Sequence, residues 1–293
     1  MSQITTDAPP ATEPPERPAS PKRRRRTIWR VLIGLGIVLL LLVAAAAAWF
    51  VFGRDQAHQR STDDVLEALR RSGATSADAD GRPPFGVYSA VATGTEAVGI
   101  PGLDESLGPN APVTVTHGDG GCFTYRVDFN THHWRTWTFC PSDGSTFALV
   151  NAVTSTTRKI PGIDFGSVNT YACDTPVPYL WPDPEVGQVR TGSCTGTSDT
   201  ISGLTTDAGQ VEVLGLDTVT IDGTDLPVVH VRSSDTFGDA QTGTEIDEWW
   251  LDARTGLPVR LAIDAKVQSD TPVGKADYAE KGQLDLTTLT PTT

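Results

Sequence analysis

Residues 122–140, CFTYRVDFNTHHWRTWTFC, decide the fold. Folded back so that paired residue numbers sum to 262, the stretch sets Cys122 opposite Cys140 and Phe123 opposite Phe139. Tyr125 then meets Trp137, Val127 meets Arg135, and Asn130, Thr131 and His132 form the turn. One face stacks Phe123, Phe139, Tyr125 and Trp137, the aromatic cross-strand pairing that stabilises antiparallel sheets. The other face carries the cysteines with Thr124 and Thr138. Alternation and cysteine placement agree without either being adjusted to the other. Pairing Cys122 with Cys140 leaves Cys173 for Cys194.

The same period-two patterning, broken by turn residues, continues on both sides of this hairpin from Phe85 onward. Strands are expected at Val87–Thr95, Val113–His117, Cys122–Phe129, His133–Cys140, Phe147–Arg158 and Asp164–Ala172. Further strands are expected at Gln210–Asp222, Pro227–Ser233, Glu245–Asp252, Leu257–Val267 and Gln283–Leu289. Leu257, Val259, Leu261, Ile263, Ala265 and Val267 share one face. Eleven strands without intervening helices make a mainly β domain with one antiparallel sheet, curled or sandwiched. The segment between Cys173 and Cys194, DTPVPYLWPDPEVGQVRTGS, holds four prolines and is expected to be a stapled loop covering a sheet edge or barrel end. A second reading makes it a lid presenting Tyr179 and Trp181 over an apolar pocket.

Upstream, residues 31–53 (VLIGLGIVLLLLVAAAAAWFVFG) carry no charge. As a helix they reach about 34 Å, enough to cross a bilayer core of about 30 Å. Lys22–Arg26 and Arg30 precede the span, which places its N-terminal side in the cytoplasm. The run Ala44–Ala48 offers signal-peptide cleavage sites, but the apolar run is longer than such a signal and continues past the alanines, so an uncleaved signal anchor is expected. Residues 61–71, STDDVLEALRR, read as a short capped helix ending at Gly73. The organisation expected is a disordered Pro-rich and basic cytoplasmic tail over 1–26 and a transmembrane helix over 27–53. A juxtamembrane helix and linker follow over 54–84, then an extracytoplasmic β domain over 85–293.

Charge and cysteine usage bound the function. Residues 1–53 carry seven basic and three acidic side chains, net +4; the 16 basic and 33 acidic side chains that remain give 54–293 a net charge of −17. A domain this acidic does not grip nucleic acid or an anionic membrane surface. All four cysteines lie beyond the apolar span, which reads as two disulfides in an oxidising compartment. Their spacings do not suit zinc. His132 and His133 are expected as solvated turn residues, and no nucleophile elbow, metalloprotease, phosphate-loop or dinucleotide motif occurs. Glu248 and Asp252 lie about 13 Å apart by strand rise, too far for a glycosidase pair. No catalytic residue, metal or cofactor is expected.

WWLDARTGLPVR (249–260), preceded by GLDTVTIDG and VVHVR and followed by DYAEKGQLDLTTL, resembles the C-terminal part of LolA-like half-barrel domains. The basic tail, single span, GCFTYRVDF…WTFC and second cysteine pair together resemble a group of actinobacterial single-pass membrane proteins. The resemblance implies a half-barrel, a sheet curved around a concave face, preceded by one transmembrane helix and a short juxtamembrane helix. Some half-barrel relatives hold acyl chains on that face. The function expected is a non-enzymatic binding or interaction module of the cell envelope. It would cup a lipid-like ligand on Phe123, Tyr125, Trp137, Phe139, Tyr179 and Trp181, or dock another envelope protein without a small ligand.

Overall fold

The structure, a computed structural model, describes residues 22–52, 56–76, 81–100, 102–160, 163–271 and 274–293. Of the tail expected to be disordered over 1–26, residues 1–21 lie outside the described residues, as do parts of the linker, whereas Lys22–Arg26 belong to a helix. The chain divides into two units, Met1–Arg54 and Asp55–Thr293.

The first unit is helix α1, Lys22–Phe52, with the apolar stretch Trp29–Trp49. That stretch is long and apolar enough to cross a membrane. Over Trp29–Trp49 its apolar side chains are exposed all round the helix.

The second unit opens with α2, Thr62–Ser72. Ser61 and Asp64 form a reciprocal capping box at its start, and Gly73 closes it in the left-handed conformation at φ 71°. Val65, Leu66 and Leu69 make the buried stripe and pack with Val87 and Phe85.

Apart from one 3-10 turn at Asp119–Gly121, the regular structure that follows is, among the described residues, one antiparallel sheet of fourteen strands. In chain order these are β1 Gly86–Tyr88, β2 Ala90–Ala97, β3 Glu105–Ser106, β4 Val113–His117, β5 Phe123–Asp128, β6 His133–Ser142 and β7 Ser145–Ile160. There follow β8 Ile163–Leu180, β9 Val189–Ser198, β10 Thr205–Ile221, β11 Thr224–Asp239, β12 Gln241–Asp252, β13 Pro258–Thr271 and β14 Gly274–Leu286. Their order in the sheet is β1, then β4 to β14 in sequence, then β2 and β3. The sheet curls into a half-barrel. Its two ends meet, because β1 with β2 and β3 with β4 are two runs in a single register: Gly86 pairs with Val115, Val91 bridges to Asn110, and Glu96 pairs with Glu105. β2 pairs with β14 along its other edge, and β4 with β5.

The β5–β6 hairpin has the register read from its sequence, Phe123 with Phe139 and Tyr125 with Trp137, and the disulfides join Cys122 to Cys140 and Cys173 to Cys194. The segment between Cys173 and Cys194 differs from expectation. It is not a free loop: β8 runs on through Leu180, β9 begins at Val189, and Cys173 lies directly opposite Cys194 in the ladder. Its prolines are tolerated because the β8–β9 ladder stops at Thr175, before Pro176 and Pro178, and the β7 side carries two irregularities there. Tyr179 and Trp181 are core residues and form no lid.

Trp249 sits at the centre of the concave core, fully buried. The rings of Trp137, Tyr179, Phe139 and Tyr125 meet it edge-on at 5.0 to 6.4 Å. Where β14 meets β2, Gly282 lies opposite Gly94, and the inward side of that pair is the seat of the fully buried Leu107. A Cβ on Gly282 would come within 2.4 Å of Leu107 Cδ1. Gly94 has φ +123°, and a Cβ there would lie 2.1 Å from the Lys281 carbonyl oxygen. Gly94→Ala is therefore expected to destabilise the domain by about 2 kcal/mol or more. Chemical denaturation of the purified chain measures this, and an unchanged midpoint would contradict the close seam.

Candidate functional site

The interior of the half-barrel is divided lengthwise. Toward the β12–β13 turn it is aromatic and aliphatic. Toward the opposite rim, the inward positions of the same strands carry charges. The period of two explains how: on β6, His133 and Arg135 share the face of Trp137 and Phe139, and on β12, Glu245 and Asp247 share the face of Trp249 and Leu251.

These charges join the two arms of the curl. Arg158 Nη2 of β7 lies 2.7 Å from Glu96 Oε2 of β2, and its Nη1 lies 3.0 Å from Glu105 Oε2 of β3. Arg135 Nη2 of β6 donates to Glu245 Oε1 of β12 at 2.6 Å, and its Nη1 lies 3.4 Å from Glu280 Oε2 of β14. The His133 imidazole stacks on Phe129 at 5.1 Å and stands between Glu96 and Glu280, at 3.4 and 3.3 Å. His132 Nδ1 reaches Glu105 Oε1 at 2.8 Å. The two histidines are buried, against the expectation of solvated turn residues. The Asn130 side chain is the reason: its Oδ1 accepts from the backbone N–H of both, and its Nδ2 donates to the Ser106 carbonyl, folding the turn inward.

Electrostatics follow from burial and from these partners. Burial alone would depress the His133 imidazole, but Glu96 and Glu280 hold its pKa above the usual histidine value. Glu280 is buried too, yet Arg135 and His133 bring it down to about 2. Further along, burial raises Asp207 to about 7, with Glu245 adding to the effect. Burial also lifts Asp235 and Asp247 well above the carboxylate range, reinforced by Asp207 and Glu245 respectively. Asp247 Oδ1, Asp207 Oδ1, Tyr125 Oη and Trp249 Nε1 are buried with no hydrogen-bond partner among the described residues.

The six residues expected to form an open apolar ligand face, Phe123, Tyr125, Trp137, Phe139, Tyr179 and Trp181, are each at most 3% exposed. They fill the concavity themselves: Phe123 packs on Phe139, Tyr125 on Trp137, and Phe139 meets Tyr179 edge-on, all within one buried cluster that also holds Trp181. Trp181 is further held by its Nε1, which donates to Gln188 Oε1 at 2.6 Å. The charged half was missed in the sequence, although Arg135 stood on the aromatic face of the hairpin register and Glu245 and Asp247 stood in parity with Trp249. An open depression of about 510 Å³ lies on the outer side of β2 and β12–β14, lined among others by Thr93, Ile246, Glu248, Ala262, Asp264 and Lys281. Among the described residues no group of three His, Cys, Asp or Glu side chains is spaced to hold a metal ion.

Fold and site together define a disulfide-stapled β half-barrel with a charged interior, in a chain that also carries one helix fit to cross a membrane. No protein-family model matches the chain, and no curated protein or solved structure is similar to it. Of the resemblance read from the sequence, the half-barrel sheet and the one apolar N-terminal helix are present in the structure, and no comparison supports the LolA-like family or the actinobacterial group.

Two outcomes follow from the charged interior. Asp207, Asp235 and Asp247 bind their protons more tightly in the folded chain than in the unfolded one. Their contribution to stability is whole below about pH 4 and, for Asp207, is lost as pH rises through about 7. His133 acts in the same direction, its contribution whole below about pH 6.5 and lost as pH rises through its raised folded value. Glu280 acts oppositely, losing its contribution only as pH falls from about 4.5 toward 2. The melting temperature is expected to fall between pH 5 and pH 8.5, with a shallower fall in Asp207→Asn; a rise over that interval would refute the assignment. Separately, Arg135→Met leaves Glu245 and Glu280 buried without their guanidinium and is expected to cost about 3–5 kcal/mol in equilibrium unfolding.

Proposed function

We propose that the chain is a single-pass, membrane-anchored binding module of the cell envelope. The N-terminal side of its span is cytoplasmic and its β domain is extracytoplasmic. The basic cluster before the span, the confinement of all four cysteines to the far side and the net −17 of that side support this placement. The span acts as an uncleaved signal anchor, and the role is non-catalytic.

One observation carries the binding role. An interior that could be filled with aliphatic side chains throughout is filled that way over only one half, while the other half keeps carboxylates buried with unpaired oxygens. Unpaired buried acceptors cost stability, and binding sites are where such costs are retained. The ligand therefore enters at the charged end of the half-barrel. The aromatic end, packed with the six residues expected to hold an acyl chain, serves as its closed floor. A second reading, docking of another envelope protein with no small ligand, draws on the outer depression around Ile246 and Ala262.

Native mass spectrometry of the detergent-purified full chain tests the first reading. A co-purified small molecule that is lost in Asp247→Asn is the expected result. A chain that carries nothing, yet cross-links through position 246 to a single envelope protein, would replace this reading with the second. Alkaline phosphatase fused after Thr293 is expected to be active, and one fused before α1 inactive; the reverse pattern would overturn the orientation.

A further inference from the structure

Four inward carboxylates lie on neighbouring strands at the charged end: Asp207 on β10, Asp235 on β11, and Glu245 and Asp247 on β12. Asp235 and Glu245 are direct partners in the β11–β12 ladder, and Asp247 is opposite Ser233. Carboxylates placed directly opposite each other repel if both are charged. Among the described residues the ion pair these four make is the one between Glu245 and Arg135. Asp235 Oδ2 accepts from Ser233 Oγ at 2.7 Å. Asp247 is 2% exposed; its carboxyl lies within hydrogen-bond reach of Glu245, but its Oδ1 accepts from no N–H or hydroxyl donor, and neither does the buried Oδ1 of Asp207. The group is thus short of positive charge and of hydrogen-bond donors at the same place.

Its walls are aromatic. The Tyr179 hydroxyl is held to Ser233 and feels the charges of Asp235 and Asp247, and its ring meets Trp249 at 5.6 Å. Tyr171 feels Glu245 and Asp207, and its ring lies 5.7 Å from that of Phe237. Carboxylates that lack donors, beside π faces, suit an organic cation that brings N–H donors and an apolar stem better than a hard metal ion, which wants oxygen on every side.

We infer that Asp207, Asp235 and Asp247 receive an alkylammonium group, a deepening that rests on the binding-module reading. Its three N–H donors match the unpaired Oδ1 atoms of Asp247 and Asp207 and an oxygen of Asp235, and its alkyl part lies against Tyr179 and Tyr171. Asp207 and Asp235, each partly exposed where Asp247 is buried, mark the way in. Glu245 stays with Arg135 and keeps the arms of the curl joined.

The test uses the full chain in detergent, with n-butylammonium chloride as free amine, acetyl-Gly-Lys-Gly-amide as a lysine side chain, and sodium and calcium chloride as controls at matched ionic strength. At pH 8, n-butylammonium is expected to raise the thermal unfolding midpoint saturably, by several degrees. Asp247→Asn and Asp207→Asn keep the side-chain shape and imitate the protonated acids, so they fold; half-saturation is expected to weaken at least tenfold in each. It should weaken similarly in the unaltered chain at pH 5, where the acids hold their own protons. An equal response to the peptide assigns the ammonium to a protein lysine, and a response to the free amine alone assigns it to a small molecule. A shift no larger than that from sodium chloride, a shift unaltered in Asp247→Asn, or stabilisation by calcium at lower concentration than the amine would overturn the inference. If the amine fails while the native spectrum still carries a ligand lost in Asp247→Asn, the binding module stands and only the ligand class falls.

Discussion

Within the second unit, whatever fills the concave side of this half-barrel has to come from the sheet itself, since α2 packs against the outer side of β1. A concavity left partly empty loses dispersion contacts on one side of every lining atom. The large aromatic residues answer that requirement at one end, with Trp249 as the hub to which β5, β6 and β8 each contribute a ring. Where the two ends of the sheet meet there is less room. There the fit is made by removing side chains instead, with Gly94 and Gly282 opposed so that Leu107 can be seated. Bulk in the middle and glycine at the seam are two solutions to one volume constraint.

The charged end meets the requirement differently. Arg135, Arg158 and His133 reach from β6 and β7 to carboxylates on β2, β3, β12 and β14, so ion pairs span the space that rings span at the other end. Buried ion pairs are a poor source of net stability compared with apolar packing. Their value here is orientational. Each guanidinium fits one arrangement of the facing strands, whereas aliphatic side chains would tolerate several. The acids left over, Asp207, Asp235 and Asp247, have no such structural task, which is why the binding role is placed with them.

Much of this was legible from pattern. Alternation within 122–140 determined a register that the sheet keeps, because a one-residue slip would have turned every ring outward. The prolines between Cys173 and Cys194 misled, since a Pro is excluded only where its nitrogen must donate, and that depends on where a neighbouring ladder stops. The charged interior was half visible: Arg135 shared a face with Trp137 and Phe139, but a single charge in parity with a core face reads as an edge residue until its partner is known. Glu245 and Glu280 lie far from it in sequence and become neighbours only through the curl. The inward turn of His132 and His133 depended on Asn130 reaching the backbone of Ser106, again a contact between distant segments.

The seam that joins β1 and β2 to β3 and β4 also decides how the domain would carry mechanical load. Tension applied along the chain from the N-terminal side arrives first at residues 58–60, which are held by Thr131, Asn110 and Asp128, and then at α2. Only after these peel does it reach Gly86–Ala97, a run laddered to β14 along one edge and to 105–115 along the other. A strand bonded on both edges and pulled along its length must shear many hydrogen bonds at once, where a terminal strand would unzip them singly. The first segment yields early and the second holds, so a domain tethered at this end has a compliant leader in front of a stiff body.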